Sequence, residues 1–264
     1  MLKGALHVHS TYSDGEFTLA ELREIYLAEG CSFVCMTDHA EHLDSSTLAA
    51  YVRECAERSD HELGFVAGLE YSCERRMHIL GYGARQLAGT TDPQAIIRHI
   101  EAQGAVSVIA HPKDEFFEWI EGFGTLPQGI EAWNSKYDGR YAPRPGTFAL
   151  IGRLQQRQPA LRAFYGQDLH WKKQFRGLFV EADCPSNRPV DILNALARGA
   201  FRGQKGSMEL PSTGAIPADL LAEFGKAHDR SYSIWRFLKN TKAALDGLGI
   251  PVPQSLKSHL RRLF

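Results

Sequence analysis

Short apolar runs alternate with amphipathic stretches along the first two thirds of the chain. Strands are predicted at residues 4–6, 33–36, 65–69, 79–80, 106–110, 129–133, 161–166 and 178–181. Stretches between them space their apolar residues as helices do. This strand, helix, strand alternation predicts parallel pairing with right-handed crossovers. The continuous apolar run at 106–110 is typical of a strand covered on both faces.

Residues that begin and end helices support the same assignment. Thr18 and Glu21 form a capping-box pattern, and the helix that follows is expected to stop at Gly30. Ser45 or Ser46 is expected to cap the second helix. The capping residues therefore predict the same helices as the spacing of the apolar residues.

The chain has 264 residues, a usual length for one α/β barrel. We expect residues 1–200 to form the barrel. Residues 201–264 are expected to form a helical C-terminal extension packed on the same domain, with most of its helix from residue 218 onward.

Composition narrows the class of protein. The 30 basic and 31 acidic side chains give a net charge of −1, so nothing indicates bulk attraction to nucleic acid or to a membrane surface. No apolar run approaches the length of a membrane span, and the N-terminus enters a predicted strand at once. Five cysteines without a CxxC pair are expected to be packing residues in a reducing compartment. Together these features predict a cytoplasmic protein.

Histidine and carboxylate side chains recur at or beside the ends of the predicted strands. In chain order they are His7, His9, Asp14, His39, Glu70, His78, His111, Asp168 and His170. Strand ends around a barrel meet at one mouth, so we expect these nine donors to converge there. Nine donors are too many for one ion and suit two or three divalent ions. Imidazole and carboxylate ligands favour Zn, Mn and Fe(II) over Ca.

Local spacing adds detail to this prediction. His7 and His9 alternate, so on a regular strand both imidazoles point to the same face. Asp14 follows a polar turn that returns it to the mouth, and Glu70 is placed to bridge two cations. Each residue alone also fits an ordinary buried or surface position. Their shared placement at successive strand ends is what favours a metal cluster.

The ordered motifs HxH, SDG, TDH, GLE, a lone histidine, AHP and DxH resemble the PHP (polymerase and histidinol phosphatase) family over residues 1–185. The resemblance implies a distorted TIM-like (β/α)7 barrel with two or three Mn, Fe or Zn ions at the C-terminal mouth of the strands. It implies His7, His9, Glu70 and Asp168 for one ion, Glu70, His78 and His111 for a second, and Asp14, His39 and His170 for a third. Some members carry histidine where this chain has Asp14, so the third site departs from their pattern.

Most members of this family hydrolyse phosphate esters. The resemblance therefore implies a metal-dependent phosphoesterase acting on a small phosphomonoester, such as a nucleotide, an amino-alcohol phosphate or a sugar phosphate. Metal-activated hydroxide held at the Glu70 pair of ions is the expected nucleophile, and Asp168 or His170 is the candidate general acid.

Lys113, Arg140 and Arg144 follow predicted strands and are candidates for binding a second phosphate or a carboxylate of the substrate. Surface charges on a mobile loop fit these residues equally well. No basic stripe interleaved with aromatic residues occurs, which disfavours long nucleic acid as a substrate.

Three other functions remain open at this point. One is a phosphodiesterase or exonuclease on short oligonucleotides, and another is carbon–nitrogen bond hydrolysis. The third is a non-catalytic metal-binding module that serves a partner, against which the complete ligand set argues. The sequence leaves the oligomeric state undetermined.

Overall fold

The computed structural model describes residues 1–138 and 142–230, which form an α/β fold. The strands are β1 (Leu2–Val8), β2 (Phe33–Met36), β3 (Asp38–His39), β4 (Gly64–Val66), β5 (Gly68–Ser72), β6 (His78–Tyr82), β7 (Val106–Ala110), β8 (Gly129–Asn134), β9 (Arg162–Gly166), β10 (Phe179–Ala182), β11 (Phe201–Lys205) and β12 (Met208–Pro211). The helices are α1 (Leu19–Ala28), α2 (Ser45–Glu57), α3 (Pro93–Glu101), α4 (Phe117–Glu121), α5 (Pro145–Gln155) and α6 (Pro189–Arg198), and residues 218–230 are helical. The predicted alternation of strands and helices is confirmed.

These strands pair in two six-stranded sheets. One has the order β12-β11-β10-β1-β2-β4, and the other β3-β5-β6-β7-β8-β9. Parallel pairing joins β1 to β2, β2 to β4, β3 to β5, β7 to β8 and β8 to β9, as predicted. The strands β7, β8 and β9 are buried along nearly their whole length, as expected between covering layers.

Strand β10 runs antiparallel to β1, and strand β6 also departs from the predicted parallel arrangement. It runs antiparallel to both β5 and β7. Residues 73–77 connect β5 to β6, and so short a connection permits only an antiparallel neighbour. As a result His78, the first residue of β6, pairs with Ala110, the last residue of β7. The amino end of β6 therefore lies beside the carboxyl end of its neighbour.

Short connections relate the two sheets to one another. Thr37 alone separates β2 from β3, and Ala67 alone separates β4 from β5. A parallel bridge joins Val8 to Leu169, and the backbone N–H of His9 donates to the Leu169 carbonyl at 3.0 Å. These links bring strand ends from both sheets to one edge of the fold.

The N-cap of α1 is the one predicted, whereas the N-cap of α2 differs from the prediction. The capping box of Thr18 and Glu21 is present at the start of α1. The cap of α2 is Asp44, whereas the sequence analysis expected Ser45 or Ser46. Asp44 Oδ1 accepts from the backbone N–H of Thr47 at 2.7 Å and from the Ser46 hydroxyl at 2.7 Å. A carboxylate satisfies both donors at once, so the helix begins one residue earlier.

Residues 201–211 differ from the helical extension that the sequence predicted. They form the hairpin β11–β12, and β11 pairs antiparallel with β10. Gly206, with φ of 57°, provides the positive φ that a tight hairpin turn requires. Residues 218–230 are helical as expected, whereas residues 231–264 lie outside the described part of the chain. The division at residue 200 stays a prediction.

A large apolar core fills the space between strands and helices, with Trp133, Tyr26 and Tyr51 among its largest buried side chains. All five cysteines are free thiols, and four of them are buried in or beside this core. Within residues 1–138 and 142–230, no helix is both long and apolar enough to cross a membrane.

Candidate metal centre

The structure brings all nine predicted ligand residues together at one edge of the fold. His7 and His9 lie at the end of β1, Asp14 in the turn that follows, His39 on β3, Glu70 on β5, His78 at the start of β6, His111 after β7, and Asp168 and His170 after β9. The reversal of β6 is what places His78 here, because its amino end lies among the carboxyl ends of the parallel strands.

Glu70 is the centre of this cluster, and its carboxylate is almost completely buried. Its Oε1 lies 2.8 Å from His78 Nδ1 and 3.3 Å from His111 Nε2, and its Oε2 lies 3.1 Å from His9 Nε2, 3.3 Å from His7 Nε2 and 3.5 Å from His39 Nδ1. Burial alone would raise the pKa of Glu70, but the surrounding imidazoles hold it well below its usual value. The carboxylate is therefore ionised, and its two oxygens face different sets of imidazoles, as a bridging ligand requires.

Three sets of donor atoms are close enough to hold an ion, each with ligand atoms within 4.8 Å of one another. They are His9 with Asp14, His39 and His170; His7 with His9 and Asp168; and His7 with Glu70 and His111. The first resembles the third site implied by the sequence, with His9 added. The last contains His7 where the resemblance implies His78, which lies beside it against Glu70.

Unsatisfied imidazole nitrogens indicate that these residues fit divalent ions. Both ring nitrogens of His9, and Nδ1 of His39 and of His78, are buried and lie near carboxylate oxygens, but they make no hydrogen bond of good geometry among the described residues. Buried polar atoms are normally satisfied. Burial lowers the pKa of His9 to about 3, so its imidazole is neutral and offers a lone pair. A neutral imidazole beside an ionised carboxylate is a donor set that suits a divalent cation.

Glu131 on β8 is a buried carboxylate that the sequence analysis did not single out. Its Oε1 accepts from His7 Nδ1 at 2.7 Å, which directs His7 Nε2 toward Glu70. Its Oε2 accepts from the backbone N–H of His111 at 2.8 Å and from Asn134 Nδ2 at 2.9 Å. Hydrogen bonds of this kind fix the orientation and tautomer of a metal-binding imidazole. The available signal was an acidic residue inside an otherwise apolar predicted strand.

Three of the predicted ligands have a left-handed backbone. The φ angles are 61° at His7, 27° at His111 and 52° at Asp168. The register of β1 also shifts between Leu6 and Val8, so simple strand alternation does not account for the pairing of His7 with His9. Their rings nevertheless meet, with centroids 5.2 Å apart. Such backbone strain costs about 1–3 kcal/mol for each residue and is concentrated at functional sites.

Asp14 lies in an exposed turn above the buried donors. Its Oδ1 is 3.2 Å from His170 Nε2 and 3.7 Å from His39 Nε2, and 42% of its side chain is exposed. Asp38 holds this turn, since it accepts from the backbone N–H of Ser10 at 2.9 Å and from the Ser10 hydroxyl at 3.0 Å. The turn returns Asp14 to the mouth, as the sequence predicts.

Lys136 is a second functional candidate that the sequence analysis did not single out. Its Nζ lies 3.0 Å from Asp168 Oδ1 and 3.3 Å from His170 Nδ1. Burial alone would lower the pKa of Lys136, but the Asp168 carboxylate raises it. The ammonium group is therefore charged and stands directly beside the metal-binding donors.

The three predicted substrate-binding residues have different surroundings. Lys113 is half exposed, and its ammonium lies 5.5 Å from the centre of the Phe116 ring. The Arg144 guanidinium forms ion pairs with Asp138 at 2.6 Å and with Asp114 at 2.9 Å. Arg140 lies outside the described residues. Their contact with a substrate stays a prediction.

Comparison with known sequences gives one short match. No family model matches the chain. The DNA polymerase/3'-5' exonuclease PolX of Bacillus subtilis (strain 168) is 43% identical over 42 residues, which are 16% of this chain and only 7% of that protein. The matched segment is therefore a small part of the relative.

Two solved structures resemble the whole fold. One is a two-domain protein from Bacteroides vulgatus ATCC 8482 that contains a predicted PHP-like metal-dependent phosphoesterase, with a TM-score of 0.57 and 16% identity over 85% of this chain and 69% of that chain. The other is PsfC from Pseudomonas syringae PB-5123, with a TM-score of 0.50 and 12% identity over 87% of this chain and 98% of that chain. At these identities the likeness concerns the fold. The chain has an α/β fold like that of the Bacteroides vulgatus protein, in agreement with the fold that its histidine and carboxylate motifs predict.

Proposed function

We propose that this protein is a metal-dependent phosphoesterase that hydrolyses a small phosphomonoester. The observation that carries the proposal is the buried Glu70 carboxylate, whose two oxygens face five imidazoles. Desolvating a carboxylate among neutral and charged imidazoles is costly unless cations complete the site. The arrangement therefore supports a cluster of two or three Mn, Fe or Zn ions.

Our proposed ligand sets follow the family resemblance. His7, His9, Glu70 and Asp168 would hold one ion, Glu70, His78 and His111 a second, and Asp14, His39 and His170 a third, with His9 also near this third set. Divalent ions in such a site lower the pKa of water and neutralise charge on phosphoryl oxygens. Glu70 would bridge the first two ions.

The proposed reaction is hydrolysis at phosphorus. Water would lose a proton as its oxygen forms a new bond to phosphorus, the ester P–O bond would break, and a proton would be delivered to the leaving oxygen. We assign that proton transfer to His170, whose Nδ1 lies 3.1 Å from Oδ1 of the Asp168 carboxylate that would orient it. The Lys136 ammonium, next to both, is placed to bind an oxygen of the phosphoryl group.

We also propose that the strands close into a distorted seven-stranded barrel with the metal centre at its mouth. Only one residue, Thr37 or Ala67, interrupts β2–β3 and β4–β5, so each pair counts as one strand of the barrel. The Val8–Leu169 bridge supports closure between β1 and the end of β9. The seven barrel strands are then β1, β2–β3, β4–β5, β6, β7, β8 and β9.

The direct test is phosphate release from a panel of monoesters and diesters by protein loaded with Mn(II), Zn(II) or Fe(II). A matched sample treated with a chelator is the control. Release from monoesters that the chelator abolishes would support the proposal. Absence of release in protein that retains its ions by mass spectrometry would overturn it and favour carbon–nitrogen hydrolysis or a non-catalytic role.

The second candidate is phosphodiester cleavage. It is favoured by the 42-residue match to the Bacillus subtilis protein, whose name includes a 3'-5' exonuclease. Monoester and diester substrates in the same panel separate the two candidates. Release of mononucleotides from short oligonucleotides, without cleavage of monoesters, would select the exonuclease.

A further inference from the structure

A cavity of about 450 Å³ opens beside the metal centre and shares His78 and His111 with it. None of the described side chains that line this cavity is a carboxylate, although the adjoining metal centre is rich in them. The two compartments therefore differ in charge, because one holds the acidic ligands and the other presents cations. A molecule that reaches from one into the other meets metal-binding groups first and positive charge beyond.

Arg76 is the cation in this cavity with the fewest internal contacts. No ion pair or hydrogen bond of its guanidinium is found among the described residues, and its backbone φ is 62°. Its neighbour Arg75 has a similar φ of 57°, but its guanidinium lies over the Trp119 ring at 4.6 Å. Arg144 also borders the cavity, but its charge is neutralised by ion pairs with Asp114 and Asp138. Arg76 is therefore an exposed arginine that lines the cavity.

Aromatic side chains form the wall between the metal centre and these cations. The Tyr137 ring lies 4.5 Å from the His111 ring, centre to centre, and 58% of Tyr137 is exposed. Phe116 is buried beneath, with the Lys113 ammonium 5.5 Å from its ring. An exposed tyrosine ring next to a reaction centre offers a flat surface on which a planar group can stack.

We propose that this cavity binds the leaving group of a phosphomonoester that carries a second anionic group on a planar ring. The inference rests on the proposed phosphoesterase function. The phosphoryl group would lie at the metal centre, the ring beside Tyr137 and Phe116, and the second anion at Arg76 and Lys113. Arg76 is then a specificity residue, because it distinguishes an ester whose ring carries an anionic substituent from one with an uncharged ring.

The test compares phenyl phosphate, 4-carboxyphenyl phosphate and 1,4-phenylene bisphosphate with the metal-loaded wild-type protein and two variants. Arg76→Asn removes the cation, and Arg75→Asn is its matched control on the adjacent residue. Asparagine tolerates the left-handed backbone at both positions. We expect the wild type to prefer, in kcat/KM, the two esters whose ring carries a second anionic group. Arg76→Asn should reduce that preference by about tenfold, whereas Arg75→Asn should leave it unchanged.

Preference for the carboxylate or for the second phosphate identifies the anion. Equal kcat/KM values for all three esters, or a preference that Arg76→Asn leaves intact, would overturn the inference while leaving phosphoester hydrolysis standing. If no ester is hydrolysed, calorimetric binding of phenylphosphonate and 4-carboxyphenylphosphonate separates the two proposals. Tighter binding of the carboxylated ligand that depends on Arg76 would support the cavity assignment although the proposed function fails. Equal binding of the two ligands would overturn it.

Discussion

The inner and outer parts of the candidate metal centre are built in different ways. The inner donors, His7, Glu70 and Asp168, are fully buried, and Glu131 fixes the His7 ring from behind. The outer donor Asp14 is exposed in a turn. Rigid surroundings preorganise ligands, whereas an exposed turn leaves them adjustable. Ions at the two positions should therefore differ in how tightly they are held.

Removing the shared inner ligand should have the largest effect. Glu70→Gln keeps the side-chain volume but removes the charge between the imidazoles, so we expect loss of both inner ions. Phosphoester hydrolysis should fall by about a thousandfold or more. Metal content by mass spectrometry, together with phosphate release, measures both effects. A variant that retained two ions and full turnover would show that Glu70 is not a bridging ligand.

Weakening the support behind the inner ligands should have an intermediate effect. Glu131→Gln retains a hydrogen-bond acceptor for His7 but removes the negative charge, so we expect inner-site metal affinity to fall by about 10- to 100-fold. The outer ion should be unaffected, because Glu131 contacts none of the outer donors in the described structure. Titration with a chromogenic chelator measures the affinities. An equal loss of affinity for every ion would contradict the division into inner and outer parts.

A change confined to the outer part should be smaller. Asp14→Asn removes the only carboxylate of the outer donor set, and we expect loss of about one ion per chain with the inner ions retained. Activity should fall by about tenfold, less than for the inner variants. The same metal analysis serves as the measurement. Loss of all ions would mean that the outer donors are required to assemble the inner ones.

A substitution away from the site should separate stability from chemistry. Thr18→Ala removes the cap of α1, so the free energy of unfolding should decrease by about 1 kcal/mol. Metal content and kcat should be unchanged. Thermal unfolding of the wild type and the variant, with and without chelator, measures the difference. A change in kcat would indicate that α1 contributes to the geometry of the mouth.

Much of the site was predictable because ligands at strand ends leave a regular signal. His39, Glu70 and His111 each follow or end an apolar run, and that pattern survives in the structure. The position of His78 was predicted for an incomplete reason, since it depends on the reversal of β6. Strand direction follows from a connection length that is visible only once both strand ends are known.

The residues that sequence analysis missed act through tertiary contacts. Glu131 and Lys136 carry no motif of their own, and their roles appear only when β8 and its following loop reach His7 and Asp168. The hairpin at residues 201–211 was missed for a related reason. Its strands are half polar and are stabilised by pairing with β10, so local periodicity gave little indication of them.

The left-handed backbone at His7, His111 and Asp168 has a consequence for laboratory evolution of this protein. Glycine at any of these positions would relieve strain of about 1–3 kcal/mol, so a screen for thermal resistance without ions would enrich it. The same screen would discard an imidazole or a carboxylate from the mouth. Thermostability and catalytic competence therefore compete at these three positions. A stabilisation campaign should hold them fixed and seek its gains in the caps and surface loops.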